Sequence, residues 1–338
     1  MTRAAGLAEV PARPLLEQGL EVRFALSPGD RPLVEPGARI DVGDPLLLHL
    51  RERHIEEIEV RPGPDEAPPA AGSRRTPPTG RRHHNLDGDV ELLAPVPGKR
   101  DRWRVIAGAH HDQVESPVAG MVTAVVAGAE IRVRVDGAAV RGAFAAGAAA
   151  RGRLALASDP AGELRAGGID VARAGSILVV GSRIDAEALT RARAMGVRGV
   201  VAASLPGKEL RDFQASERRQ RASLHPTAPF GVLALDGTIR RPIAGPVASV
   251  LERVAGTEVA LLIDPPALVF DVQPDDLPAA PRDWVRVRSG VHAGLEGRLL
   301  ELLGPRRFAA GVMLEAARLA VDGEPPVDVP LADLERFV

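Results

Sequence analysis

The chain holds 338 residues with 43 basic and 45 acidic side chains, no cysteine, no tyrosine, seven Phe and two Trp. Its cores must be built from Ala, Val, Leu and Ile, and this length suggests roughly two or three domains. Missing cysteine excludes thiol nucleophiles, disulfides and Cys-type metal sites, Lys99 and Lys208 are the only lysines available for a carrier role, and a net charge of −2 gives no general pull toward nucleic acid.

Met1 to Val10 lacks the apolar centre of a signal peptide, and no stretch approaches the roughly 18 apolar residues of a spanning helix, so a cytoplasmic protein without a membrane partner is expected. Ser27 to Leu50 alternates short Val/Ile/Leu runs with Pro-Gly and Gly-Asp turn signals, and Val114 to Leu156 does the same. Glu130-Ile131-Arg132-Val133-Arg134-Val135 alternates charged and apolar residues as a half-buried strand requires. Between them, residues 61–88 are rich in Pro, Gly, Arg and His with almost no large apolar side chain, which predicts a disordered insertion. Residues 1–156 thus read as one β domain carrying that insertion.

Ser116-Pro117-Val118-Ala119-Gly120-Met121-Val122 with its Gly-rich return resembles the second half of a biotinyl/lipoyl-type barrel-sandwich hybrid, and Pro36-Gly37 to Gly43-Asp44-Pro45-Leu46 resembles the first half. In that family the modified lysine stands five residues before the Val of a V-x-[AS]-P segment. Here that position is Ala109, so the resemblance implies a scaffold with no covalent biotin or lipoate.

Residues 165–272 read as an α/β domain. The continuous run Ile177 to Gly181 predicts a buried strand, Asp185 opens a helix through Met195 that Gly196 closes, and Val197 to Ala203 is the next strand. A polar helix from Lys208 to about Ser223, a strand Phe230 to Leu235, and a helix with Val247, Val250, Leu251 and Val254 on one stripe follow. Val259 to Ile263 is the fourth strand. Such alternation predicts an open, mostly parallel sheet, which takes ligands beyond the carboxyl ends of its strands. The candidates there are Ser182, Arg183, Ser204, Lys208, Asp236 and Asp264. Gly181-Ser182-Arg183-Ile184-Asp185 carries one glycine where a dinucleotide fingerprint needs three, and a Walker pattern is absent.

Residues 282–338 form the last predicted unit. In Trp284-Val285-Arg286-Val287-Arg288-Ser289-Gly290-Val291-His292-Ala293-Gly294-Leu295-Glu296-Gly297-Arg298-Leu299 the glycines stand five, nine and twelve residues after Val285. This spacing resembles the KOW motif of NusG-type elongation factors and of a ribosomal large-subunit protein. The resemblance implies a C-terminal SH3-like β-barrel, with protein, ribosome, RNA polymerase or RNA as partners. Its candidate partner-binding residues are Arg286, Arg288, Gly290, His292, Gly294, Gly297, Arg298, Arg306 and Arg307. Asp283 to Val338 holds seven arginines against nine acids, which departs from the RNA-binding charge pattern and favours protein docking.

No set of catalytic or metal-ligating residues emerges. His83-His84 and His110-His111 lack ligand spacing, Asp112 beside the second pair reads as turn chemistry, and Glu56-Glu57 and Asp275-Asp276 read as solvated acids. The sequence therefore predicts a multidomain, non-enzymatic accessory protein without cofactor or metal that docks on transcription or translation machinery. The alternative is a small-ligand protein or enzyme using the strand-end crevice.

Overall fold

The computed structural model describes residues 7–51, 55–60, 70, 73–75, 90–99, 101–106, 110–221, 228–309 and 311–338. Ala109, His83, His84 and most of the 61–88 stretch lie outside these residues, as do the side chains of His110 and His111. The described chain is mostly β, with several sheets, one mixed sheet that includes parallel strands, and three α-helices. No helix among the described residues is long and apolar enough to cross a membrane.

Two small sheets share the first core. One orders Glu21–Ala25, Glu130–Val135, Gly120–Val126 and Arg39–Ile40; the other orders His110–Glu115, Pro45–Arg51 and Arg31–Pro32. Ile131, Val133 and Val135 point into the core, as their alternation predicts. The stem of Pro45–Arg51 and His110–Glu115 leads to a four-stranded sheet of Ile55–Glu59, Arg102–Ile106, Val90–Pro95 and Arg74–Arg75, with Ile58, Val60, Leu92 and Val105 at its centre. Arg74 and Arg75 lie within the stretch predicted to be disordered, yet they pair with Glu91 and Val90. Composition alone did not reveal that an edge strand needs only a neighbour's free backbone groups.

The mixed sheet begins earlier than residue 165. Ala150–Leu156, Ser176–Ile184, Gly199–Ser204 and Gly231–Ala234 are parallel neighbours. The predicted fourth parallel strand is in fact antiparallel: Glu258–Leu262 runs against Ala150–Leu156, with Ala150 opposite Leu261 and Arg153 opposite Glu258. A run buried on both faces reads the same in either direction, so the sequence carried no sign of this reversal. Nor is the sheet open. Ala138–Arg141 pairs with Ala267–Phe270 at one end, Phe144–Gly147 pairs with Gly231–Ala234 at the other, and the two are joined only by Gly142 and Ala143. Their amides donate to Pro266 O and Ala234 O. One segment thus reaches both sides of the sheet and curls it, with Glu17–Gln18 pairing outside Ala138–Arg141. A Cβ on Gly142 would lie 2.5 Å from Leu233 Cδ1 and 2.8 Å from Ala234 O, so this bend needs a residue without a side chain.

Helices α1 (Ala186–Ala194) and α2 (Gly207–Arg221) cover one face of the parallel strands, while α3 (Gly245–Arg253) packs in the core on the other. The predicted stripe Val247, Val250, Leu251 and Val254 is buried there. Asp185 caps α1, its Oδ1 accepting from the Ala188 N–H at 2.7 Å.

The last sheet orders Ala12–Arg13, Leu334–Phe337, Trp284–Val287, Glu296–Arg307, Met313–Ala320 and Val327–Pro330. Its first strand comes from the other end of the chain and pairs parallel with its last, Ala12 opposite Arg336. Val10 joins Val285, Val287, Leu299, Leu319 and Leu334 in the core of this module. A Cβ on Gly297 would stand 2.3 Å from Ala320 O, so glycine there lets two strands approach. Residues 12–13 thus pair in the last sheet, and the strands between 138 and 156 pair in the mixed one.

Asp185→Ala is expected to lower the unfolding free energy by about 1 kcal/mol, and Asp185→Asn by much less, since Asn keeps the capping oxygen. Urea denaturation measures both, and equal losses would assign the residue a charge role instead.

Candidate functional site

The carboxyl ends of the parallel strands are filled by the chain itself. The Ser158–Gly162 turn presses on Gly181, where a Cβ would fall 2.1 Å from Asp159 O, and Ser158 Oγ accepts the Gly181 N–H. Ser182 is buried, its N–H and hydroxyl both donating to Gly162 O. Ser204 is fully buried and donates to Ser182 O at 2.7 Å. Arg183 pairs with Glu209 at 3.0 Å, while Lys208 stands exposed at the start of α2. Asp264 is not at this edge. It follows the antiparallel strand and so lies at the opposite end of the sheet, exposed and paired with Arg23 at 3.2 Å.

Asp236 is the residue on which the strand ends converge. It follows Gly231–Ala234, its side chain is 5% exposed, and two cations reach it from distant parts of the chain. Arg13 Nη1 donates to Oδ1 at 3.1 Å, and Arg286 Nη2 lies 3.0 Å from Oδ2. Arg13 also donates to Arg141 O and Leu235 O. Arg286 is 1% exposed, with its Nε 3.5 Å from Glu335. The Arg286 pairs lack good alignment, for none of its N–H groups is directed along a hydrogen bond, and Arg241 Nε and Glu335 Oε1 are likewise buried without a hydrogen-bond partner. Desolvation lowers the Arg241 pKa, opposed by the nearby Asp236 carboxylate.

The glycine-rich loop of the last module faces the same place. Arg241 Nη1 donates to Arg288 O at 2.8 Å, and Gly294 is so close that a Cβ would lie 3.1 Å from Pro242 Cδ. Glu296 accepts the Gly245 N–H at 2.9 and 3.0 Å, capping α3 from outside its own unit, and also accepts Trp284 Nε1 at 3.2 Å.

The nine candidate partner residues therefore do not form one face. Arg286, Gly294 and Gly297 are turned inward or packed, whereas Arg288, Gly290, His292, Arg298, Arg306 and Arg307 are exposed. Arg306 and Arg307 lie on a hairpin whose rungs, Pro305 with Glu315, Arg306 with Leu314 and Arg307 with Met313, extend beyond the last pairing with Val327–Pro330. Val312 and Met313 are more than half exposed on this arm. Sequence reading missed Arg13, Arg241, Glu296 and Glu335, whose partners lie up to 223 residues away. Val312-Met313-Leu314 beside Arg306-Arg307 was the one readable signal for the arm.

A cavity of about 360 Å³ between α1 and α2 is lined by Leu189, Thr190, Arg193, Asp212, Phe213 and Ser216. Arg193 stacks over Phe213 and Phe230 and pairs with Glu217, so its charge is already engaged. Among the described residues no group of three or more His, Cys, Asp or Glu is arranged to hold a metal ion. No protein-family model matches the chain, and no curated protein sequence matches it.

Burial pushes the Glu296 carboxyl above its ordinary range, outweighing the Gly245 and Trp284 donors that favour its charged form. A raised folded-state pKa contributes stability that is fully present below the unfolded pKa and is lost as pH rises through the folded one. Glu296→Gln keeps an acceptor for Gly245 without the desolvated charge. It is expected to be at least as stable as the parent at pH 7 and to lose this share of the fall in stability between acid and neutral pH, as measured by thermal unfolding. A loss above about 1 kcal/mol at pH 7 would show that the charge itself holds the contact.

Proposed function

We propose that the chain is a non-enzymatic, modular accessory protein that docks on transcription or translation machinery through its C-terminal, KOW-type module, chiefly by protein contacts, with RNA as a further partner. In this reading the strands from Trp284 to Phe337 form an SH3-like barrel, and the two small sheets between Glu21 and Val135 form a barrel-sandwich hybrid that serves as scaffold. The spacing of Gly290, Gly294 and Gly297 supports it. The first two have φ of +80° and +91°, which favours glycine, and the third permits the strand contact with Ala320.

The observation that carries the proposal is the projecting hairpin. It brings Arg306, Arg307, Val312, Met313 and Leu314 to the surface without an acidic residue between Pro305 and Leu314. Arg and Met are enriched in the buried centres of protein interfaces and Lys is depleted, and Met adapts its shape to a partner. Two adjacent arginines offer few phosphate contacts, so RNA affinity from this arm alone would be weak. The alternative, a small ligand at the strand ends, has less support: the hydroxyls of Ser182 and Ser204 already donate to backbone carbonyls, Asp236 is paired internally and Asp264 is at the other edge.

Affinity purification of the tagged full-length chain from cell extract should recover ribosomal or polymerase subunits. The double variant Val312→Asp/Met313→Asp should reduce that recovery about tenfold, the loss expected when an interface anchor is removed, and Arg306→Ser/Arg307→Ser should reduce it less. Recovery that survives nuclease assigns a protein partner, and recovery abolished by nuclease assigns RNA. Equal recovery with the parent and the apolar double variant would sink the proposal.

A further inference from the structure

We propose that the C-terminal module is a releasable internal cap on the strand ends of the mixed sheet, held there by Asp236. Its core of Val10, Val285, Val287, Leu299, Leu319 and Leu334 is separate from the core beneath α3. Among the described residues, one side chain of the module's own strands, Phe337, enters that neighbouring core. Two single-chain tethers join the units, and each is anchored on the mixed-sheet side by a buried leucine, Leu15 on one and Leu277 on the other. Release therefore requires withdrawal of Phe337 and separation of polar contacts, with both tethers left in place.

Those polar contacts are unevenly made: Arg13 donates to Asp236, Arg141 O and Leu235 O, Arg241 to Arg288 O and the Gly245 N–H to Glu296, whereas the charges around Arg286 are poorly aligned. Arg241 and Arg286 meet Asp236 and Glu335 where water is excluded, and Arg13 reaches Asp236 from a partly exposed position, but Arg286 Nε, Nη1 and Nη2, Arg241 Nε and Glu335 Oε1 have no hydrogen-bond partner. A buried ion pair repays the loss of hydration only when its geometry is good and its remaining donors are satisfied. Here the donors of Arg286 are not, so part of the cost of burying these charges is left unrepaid and is recovered when the contact opens. An interface of this polarity between two separately cored units is the kind that opens.

Release uncovers a matched pair of faces. On the mixed sheet it frees the Asp236 carboxylate at the strand ends; on the module it frees the Arg286 guanidinium and the packed side of the Gly290–Gly294 loop. In the docked state each masks the other. This inference is independent of the hairpin reading, because the hairpin is exposed in the docked state and no partner is needed for the test.

The Gly245 amide reports docking directly, since it donates across the interface to Glu296. In the full-length chain, Asp236→Asn removes the charge that Arg13 and Arg286 share. The expected result is exchange of the Gly245 amide at least about tenfold faster by NMR, a larger radius of gyration by X-ray scattering, and unchanged protection of Leu299 and Ala317 inside the module. Parent-like exchange and radius would overturn the proposal. So would Gly245 exchange that rises only together with Leu299 and Ala317, because the module would then be unfolding rather than undocking. Should Asp236→Asn fail to fold, Arg13→Met, at a partly exposed residue, is read by the same two amide sets and the same scattering, and either of those two results would again overturn the proposal.

Discussion

A carboxylate held away from water stays charged only where cations come to it, and Asp236 draws them from both ends of the chain. Arg13 arrives on a strand near the amino terminus and Arg286 on the first strand of the last module. Once both are fixed, the first and last strands lie side by side, the glycine-rich loop is pressed against Pro242, and Glu296 is set at the start of α3. The relation between the mixed sheet and the C-terminal module follows from that single buried charge. Arg13 hydrogen-bonds to it at 3.1 Å, whereas Arg286 approaches at 3.0 Å without an aligned N–H.

A second constraint comes from composition. With nine Phe and Trp in the whole chain, cores must be filled by small branched and unbranched side chains, and small side chains let backbones come close. Gly142, Gly181 and Gly297 are three such places, each with a backbone carbonyl oxygen within 2.8 Å of where a Cβ would stand. At Gly142 the close approach curls the mixed sheet, at Gly181 it seats the Ser158–Gly162 turn over the strand ends, and at Gly297 it brings Glu296–Arg307 against Met313–Ala320. The turn at Gly181 and the docked module together occupy the edge where an open α/β sheet takes its ligands.

The functional consequence is a division of surfaces. The side of the module with Arg286 and Gly294 faces inward, and the hairpin with Arg306, Arg307, Val312 and Met313 faces out. Asp236 from one candidate set and Arg286 from the other, which the sequence keeps fifty residues apart, are ion-paired with each other. A pair of residues that look functional separately, because each is charged and placed at a strand end or a turn, satisfy one another's charge in the fold.

Local features were legible in the sequence because their causes are local. The Glu130–Val135 alternation, the Asp185 cap, the α3 stripe and the turns at Gly290 and Gly294 all act within a dozen residues, and each stands where its periodicity or turn chemistry put it, whereas Gly297 lies inside a strand. The direction of Glu258–Leu262, the closure through Gly142, the parallel pairing of Ala12 with Arg336 and the charge cluster at Asp236 were not legible. Strand direction leaves no mark on a run buried on both faces, and an ion pair spanning 223 residues leaves none on either neighbourhood. The sequence by itself determined the strands and helices that carry their own periodicity or caps, because side-chain type and spacing act at short range. Only the tertiary structure decided which charged residues remain free to meet a partner, because that depends on what the rest of the chain brings against them.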